Sequence, residues 1–377
     1  MMRVLHLTNY YPPYIGGIGE VCYYIANSLV GGVEQRVLCF NDVNKRVKET
    51  YHGVEVYRAK SFCQIRRQQI SLDLYPLLKK TFKEFKPDIL HLHLPNPLAC
   101  VYVLMLLPKD VKLIVHWHCD VVGQPMIYPL FKRYEKKILE RAEVIVTTSP
   151  TYIDKSEPLQ PYISKIQVVQ NIISKEKINI TPDVLDKAKI IREKYDNKPI
   201  VFTIGRHVPY KGITYLIEAE KKIQSDCVIL IGGNGYLTEQ LKEQAKGRER
   251  IHFIGLLDDA EMLQHMCAST IFAFPSITKN EAFGIALAEA MYCGAVPVTF
   301  TIEGSGVNWV SLNGVTGLEV PNSDSDSYAK AVDKLLSNKT LLEEYSVNAR
   351  KRVEENFTLD AVKPLIIRLY NSVLANK

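Results

Sequence analysis

Two carboxylates, Glu281 and Glu289, stand eight residues apart in the stretch NEAFGIALAEAMYCG, Asn280 to Gly294. In a helix that spacing is a little over two turns. The preceding run, Thr270 to Pro275 (TIFAFP), is apolar and partly β-branched and reads as a buried strand. Ser276 to Asn280 is polar loop, and Phe283-Gly284 opens a run of good helix formers. Glu281 is therefore predicted on a strand-to-helix turn, and Glu289 about two turns into the helix. Backbone amides around Gly284, Ile285 and Ala286 would make an anion site at the helix start. A carboxylate at such a turn, with a second along the helix, suits a ligand carrying both phosphate and hydroxyls. The alternative is that Glu281 caps the helix through its dipole and Glu289 is a solvated surface charge.

Arg206 and Lys211, in IGRHVPYKGI, also lie between an apolar strand and a helix. Two cations there, with Gly205 and Gly212 clearing the backbone, suit a diphosphate: arginine forks onto two oxygens and lysine supplies a point charge. The competing reading is two surface cations. His118 and Asp120 (VHWHCD) end another apolar strand, where a histidine could bond a sugar hydroxyl or move a proton. His116, His91 and His93 share that environment, have no metal-ligand spacing, and are expected to be packed and hydrogen-bonded. Gly16, Gly17 and Gly19 allow close backbone approach in the first loop, and LIGGNGY (Leu230 to Tyr236) is a second glycine loop. Neither completes a dinucleotide fingerprint, which argues against an oxidoreductase. Asp324-Ser325-Asp326 directly precedes a helical run and reads as a helix cap rather than a metal site.

The elements that hold these residues alternate. Arg3 to Leu7 is a first strand, followed by a glycine loop and a helix from about Glu20 to Leu29. Strand-like runs follow at Gln35–Phe40, Val54–Arg58, Ile89–His93, Leu113–Trp117, Val144–Thr147 and Ile166–Val169, with helices near Leu74–Phe85, Pro129–Ala142 and Ser149–Lys155. Residues 174–198 are polar and charged without a strand signal and read as a link. The alternation restarts at Pro199–Ile204 and runs through Val296–Phe300 before closing helices end near Asn376. The expected class is α/β, with two Rossmann-like parallel-sheet domains facing each other across a cleft. Their expected bounds are 1–175, a linker at 176–198, a second domain at 199–356 and a last helix at 357–377.

Composition fits this reading. The chain has 377 residues, 47% hydrophobic and 23% charged, which suits a two-domain globular protein. Its start lacks a signal peptide's layout, and its longest apolar stretch, Leu98 to Leu107, is too short for a bilayer span. The eight cysteines are scattered without a CxxC pair, pointing to reduced thiols in a cytoplasmic protein. The net charge of +6 is uneven: residues 1–170 carry 22 Lys and Arg against 15 Asp and Glu. Lys132, Arg133, Lys136, Lys137 and Arg141 interleave with Tyr128, Phe131, Tyr134 and Ile138, which describes either a basic amphipathic helix for an anionic membrane or a core-packed helix with a solvated face. No groove-reading motif accompanies the charge, so nucleic acid is not an expected partner.

Taken together, the GGIG loop at 16–19, HCD at 118–120, GRxxxxKG at 205–212, the glycine loop at 232–235 and E-x(7)-E at 281–289 resemble the retaining GT-B glycosyltransferases of family four, the glycogen-synthase-like group. GSGVNWV…GVTGLEVP, Gly304 to Pro321, has the same look. The resemblance implies that Arg206 and Lys211 hold a donor's diphosphate, helped by amides from Phe283 and Gly284 to Ile285 and Ala286. Glu289 would take the ribose hydroxyls, Glu281 and His118 the transferred sugar, and Gly16 and Gly17 would approach the phosphates and acceptor. Base contacts would come largely from backbone near Asn234 and Gly255 to Leu257. No cofactor and no metal is implied; a GDP- or UDP-linked sugar is the co-substrate. The implied acceptor is a saccharide, polyprenyl-linked in bacterial O-antigen or capsule synthesis, reached by a protein peripheral at the inner membrane face. Alternatives are an epimerase or transferase acting on a small soluble sugar, and a non-catalytic sugar-nucleotide binder. Two departures stand out: VVQNIIS (Val168 to Ser174) replaces the family's usual NG turn, and FPSITKN (Phe274 to Asn280) does not identify a sugar.

Overall fold

The computed structural model describes residues 1–14, 17–65, 68–121, 128–174 and 177–375. Gly16, expected near the phosphates, lies outside them. The chain divides into two compact units, Met1–Ile172 with Val362–Lys377, and Ile173–Ala361.

Unit 1 contains β1 (Arg3–Leu7), β2 (Glu34–Phe40), β3 (Val47–Tyr51), β4 (Val54–Ala59), β5 (Cys63–Ile65), β6 (Gln68–Ile70), β7 (Ile89–Leu94), β8 (Lys112–Trp117), β9 (Val144–Thr147) and β10 (Ile166–Val168). Eight of these form one sheet in the order β10-β9-β8-β7-β1-β2-β4-β3, parallel apart from the antiparallel edge pair β3–β4. All six residues of β7 (ILHLHL) are buried, the mark of a parallel strand covered on both faces. Register sets His6 beside His91 and His93 beside His116, so side-chain alternation gathers four histidines on one face. The last helix, Leu359–Ala375, brings the Tyr370 hydroxyl to His91 Nδ1 at 2.7 Å.

Unit 2 contains β11 (Ile200–Ile204), β12 (Val228–Gly232), β13 (Ile251–Gly255), β14 (Ile271–Phe274), β15 (Val296–Phe300) and β16 (Leu318–Val320), all parallel, in the order β13-β12-β11-β14-β15-β16. Counted within the unit this is 3-2-1-4-5-6, the doubly wound order whose ligand crevice opens where the winding reverses. Here the reversal falls between β11 and β14. Phe202, Phe272 and Phe300, one on each of three strands, are fully buried, each stabilising by about 1.5–3 kcal/mol.

The interval expected to be a link holds a helix, Pro182–Lys194, started by Thr181, whose side chain accepts from Val184 N–H. Val184 and Ala188 are buried, Ile191 and Tyr195 pack beside them, and Arg192 donates to the Cys267 carbonyl at 3.1 Å. This helix belongs to unit 2 because its apolar residues recur every three to four positions, a period diluted in sequence by the surrounding charges.

Candidate functional site

The loops after β11 and β14 meet at the reversal point of unit 2. Gly212 permits the meeting. It sits at φ +62°, and a Cβ there would stand 2.0 Å from the Pro275 carbonyl oxygen. Ile277 N–H donates to the Tyr210 carbonyl at 2.9 Å, closing the same contact. The β12 loop joins from the other side: His207 N–H donates to the Asn234 carbonyl at 2.8 Å, and a Cβ on Gly233 would stand 2.0 Å from the Gly205 carbonyl.

This packing brings Lys211 onto Glu281. The ammonium and carboxylate form a direct ion pair in which both side chains are largely shielded, 17% and 15% exposed. Lys211 also lies 5.2 Å from the centre of the Phe274 ring and 5.7 Å from that of Tyr210. Arg206 is exposed and donates through Nη2 to the Tyr210 hydroxyl at 2.9 Å. Tyr210 thus stands between the two cations, a role the sequence did not signal. The Glu281 carbonyl accepts from the Ser305 hydroxyl, and Gly306 N–H donates to the Ala282 carbonyl at 2.9 Å, so the GSG segment braces the turn.

The following helix is Ile285–Tyr292, with Gly284 before it at φ +88°. Its first intrahelical donor is Ala288, which bonds the Gly284 carbonyl at 3.1 Å. The amides of Ile285 to Leu287 therefore precede the internal ladder and supply the anion-binding end of the dipole. Glu289 is the fifth helical residue, a little over one turn in rather than two, because the turn extends to Gly284. It is 6% exposed, so the solvated-charge alternative does not hold. Phe283 is buried, with its ring centre 5.3 Å from that of Phe357, and has only its backbone to offer a ligand. Asn234 is exposed and Leu257 half-buried, near the carboxyl ends of β12 and β13.

In unit 1, His118 follows β8. Its Nε2 lies 3.0 Å from His93 Nδ1, and its ring stacks on His116 at 4.2 Å. Burial pushes its pKa down to about 3, so it is neutral near pH 7. Asp120 accepts from Trp117 Nε1 at 3.0 Å and from the Ser156 hydroxyl at 2.6 Å, bonds that anchor the loop. Gly17 is exposed with open space at its Cβ position, whereas a Cβ on Gly19 would stand 2.6 Å from the Tyr10 carbonyl. Both lie in the first turn of helix Gly17–Ser28 rather than in the loop expected before Glu20, and the close approach belongs to Gly19. Glu135, buried and accepting from the Tyr128 hydroxyl at 2.5 Å, is pushed up to about 7 by burial. Asp324 accepts from the amides of Asp326 and Ser327, both at 3.0 Å, as the cap of Ser325–Leu336.

Two family models match the chain: "Glycosyltransferase Family 4" over residues 15–177 and "Glycosyl transferases group 1" over residues 186–352. The chain is 28% identical over 382 residues to O-antigen chain mannosyltransferase C of Escherichia coli, covering all of both chains. It is 28% identical over 363 residues to the D-rhamnosyltransferase WbpZ of Pseudomonas aeruginosa, covering 95% of this chain and 92% of that one. Its backbone matches that of Anabaena HepE in complex with UDP-glucose, with a TM-score of 0.76 at 18% identity over 99% of this chain and 100% of the other.

Proposed function

We propose that this chain, which belongs to the GT-B glycosyltransferases through a family-four first half and a group-1 second half, moves a hexose from a nucleotide diphosphate sugar to a saccharide acceptor with retention of configuration. The observation that carries this reading is the convergence of Arg206, Lys211, Glu281 and the start of helix Ile285–Tyr292 at the sheet's reversal point. A UDP-glucose complex of a protein with the same fold supports a nucleotide-sugar donor, here GDP- or UDP-linked.

In this reading Arg206 and Lys211 hold the diphosphate, and the first helix amides face the phosphate nearest them. Glu289 accepts from the ribose hydroxyls, while Glu281 orients Lys211 and faces the transferred sugar. His118, neutral and fixed by His93, is a hydrogen-bond partner for a sugar hydroxyl. As the bond from the sugar's anomeric carbon to the phosphate oxygen breaks, negative charge grows on the diphosphate, where fixed cations stabilise it. The acceptor hydroxyl forms the new bond on the same face, and its proton passes to the departing phosphate. No metal on the diphosphate is required.

The acceptor is a polyprenyl-linked saccharide in bacterial surface polysaccharide assembly. The named activities of the Escherichia coli and Pseudomonas relatives support this, and the former favours mannose. Helix Tyr128–Arg141 buries Ile138 and Leu139 and exposes Lys132, Arg133, Lys136 and Lys137, a basic face suited to an anionic bilayer. Among the described residues no helix is long and apolar enough to cross a membrane. The test is incubation of the chain with GDP- and UDP-sugars and a polyprenyl-linked saccharide in EDTA. The proposal expects one hexose added with the donor's anomeric configuration. Inversion, or turnover of soluble sugars alone, contradicts it.

A further inference from the structure

His6, His91 and His93 lie 0%, 1% and 0% exposed at the centre of the unit 1 sheet. Each ring satisfies one nitrogen and leaves the other bare. Gln35 donates its own amide to the Ala26 carbonyl at 2.8 Å, which orients its Oε1 as the acceptor for His6 Nε2 at 3.2 Å. His6 therefore carries its proton on Nε2, and Nδ1 presents a lone pair. His91 uses Nδ1 on the Tyr370 hydroxyl, and His93 uses Nδ1 on His118. His6 Nδ1, His91 Nε2 and His93 Nε2 are buried with no hydrogen-bond partner among the described residues.

We propose that His6, His91 and His93 form a binding site for a divalent transition metal of the zinc and cobalt class. One ligand nitrogen from each ring lies within 4.8 Å of the other two. Their ring centres are 5.3, 6.0 and 4.7 Å apart. A tetrahedral metal with bonds of about 2.1 Å sets histidine ring centres about 5 Å apart, near the spacing found. Three imidazoles suit zinc, cobalt, nickel or copper over magnesium or calcium, which prefer oxygen. The outer bonds to Gln35, Tyr370 and His118 are the kind that fix the tautomers of metal-binding histidines. Burial keeps the rings unprotonated, the form that ligates, with repulsion from neighbouring histidines added at His91 and His93.

A metal on His93 Nε2 makes His93 Nδ1–H the donor to His118 Nε2. His118 then carries its own proton on Nδ1, and the metal sets which hydrogen bond it offers. This consequence rests on the sugar-contact reading of His118; metal binding does not, and the two fail separately.

The test uses the full chain without a polyhistidine tag, produced in cobalt- or zinc-supplemented minimal medium and passed through EDTA. Metal content and the visible cobalt spectrum are measured for wild type, His6→Phe and His116→Phe. The expected result is about one metal per chain in wild type and His116→Phe, and under about a tenth of that in His6→Phe. Wild-type cobalt bands of tetrahedral nitrogen ligation support the site whether or not His6→Phe folds. A metal-free wild type, six-coordinate bands, or loss in His116→Phe with retention in His6→Phe overturns the assignment.

Discussion

Lys211 and Glu281, 70 residues apart in sequence, form an ion pair where the loops after β11 and β14 meet. The pair ties the cation read as the diphosphate's partner to the carboxylate read as the sugar's. Removing Lys211 deletes the cation proposed to face the leaving group and leaves Glu281 shielded and uncompensated. Lys211→Ala is expected to lower kcat about 10²–10³-fold, the usual effect of losing one preorganised donor. Lys211→Arg should recover little, because a planar fork does not replace a compact ammonium in this pocket. Steady-state kinetics on the two variants decide; an unchanged kcat in Lys211→Ala removes the lysine from the chemistry.

Gly212→Ala tests the loop junction. A Cβ would collide with the Pro275 carbonyl, and the φ of +62° is itself strained by about 1–2 kcal/mol for an L side chain. The variant is expected to melt lower and to bind nucleotide weakly, since the loops carrying Lys211 and Glu281 must part. Gly17→Ala meets open space and should leave the melting temperature within error. Equal melting curves for Gly212→Ala and wild type would refute the junction.

Acid should unfold unit 1. His6 and His118 are lowered to about 4 and about 3, and His91, His93 and His116 well below the ordinary value, chiefly by burial. Below about pH 6.5 the unfolded chain binds protons that the folded chain does not, so stability falls as pH falls. Each histidine contributes up to about 1.4 kcal/mol per pH unit in that window. Glu135, raised to about 7, works the other way, losing stability as pH rises from its ordinary range towards 7. It is one group against five, so the acid-labile direction wins. Urea titrations from pH 8 to 5 should show a steep fall, and a flat profile would contradict the buried neutral rings.

Membrane contact is electrostatic in this account. Anionic vesicles should retain the chain at low salt and release it at high salt. Charge reversal at Lys132, Arg133, Lys136 and Lys137 should abolish retention while sparing transfer to a soluble acceptor analogue. Equal recovery on neutral vesicles would argue against the basic face.

The two parallel sheets, the cations after β11 and the carboxylates after β14 were legible because each site residue follows an apolar run at a strand end. The sequence alone sets Glu289 too deep in the helix, because a glycine turn at Gly284 delays the helix start and a turn of that kind does not change hydrophobic period. The helix Pro182–Lys194 was hidden by its charges, and β3 by the polar sequence of an edge strand. The sequence reads the histidine cluster as packed and hydrogen-bonded. It is packed, yet several ring nitrogens have no partner among the described residues. Which rings adjoin depends on register between strands some 85 positions apart, as in His6 beside His91, and on Tyr370 from the far end of the chain. Neither is a local property of sequence.

In the proposed function, the reversal point of unit 2 holds a nucleotide diphosphate sugar. This is tested most directly by thermal shifts of wild type and Glu289→Ala with UDP, GDP, ADP and their sugar conjugates. A ligand that binds only the folded state raises Tm with the logarithm of its saturation. The expected result is a shift with one nucleotide family, reduced or abolished in Glu289→Ala, whose lost charged hydrogen bonds correspond to about 1.5–3 kcal/mol. No shift with any nucleotide, or an equal shift in both proteins, would contradict it.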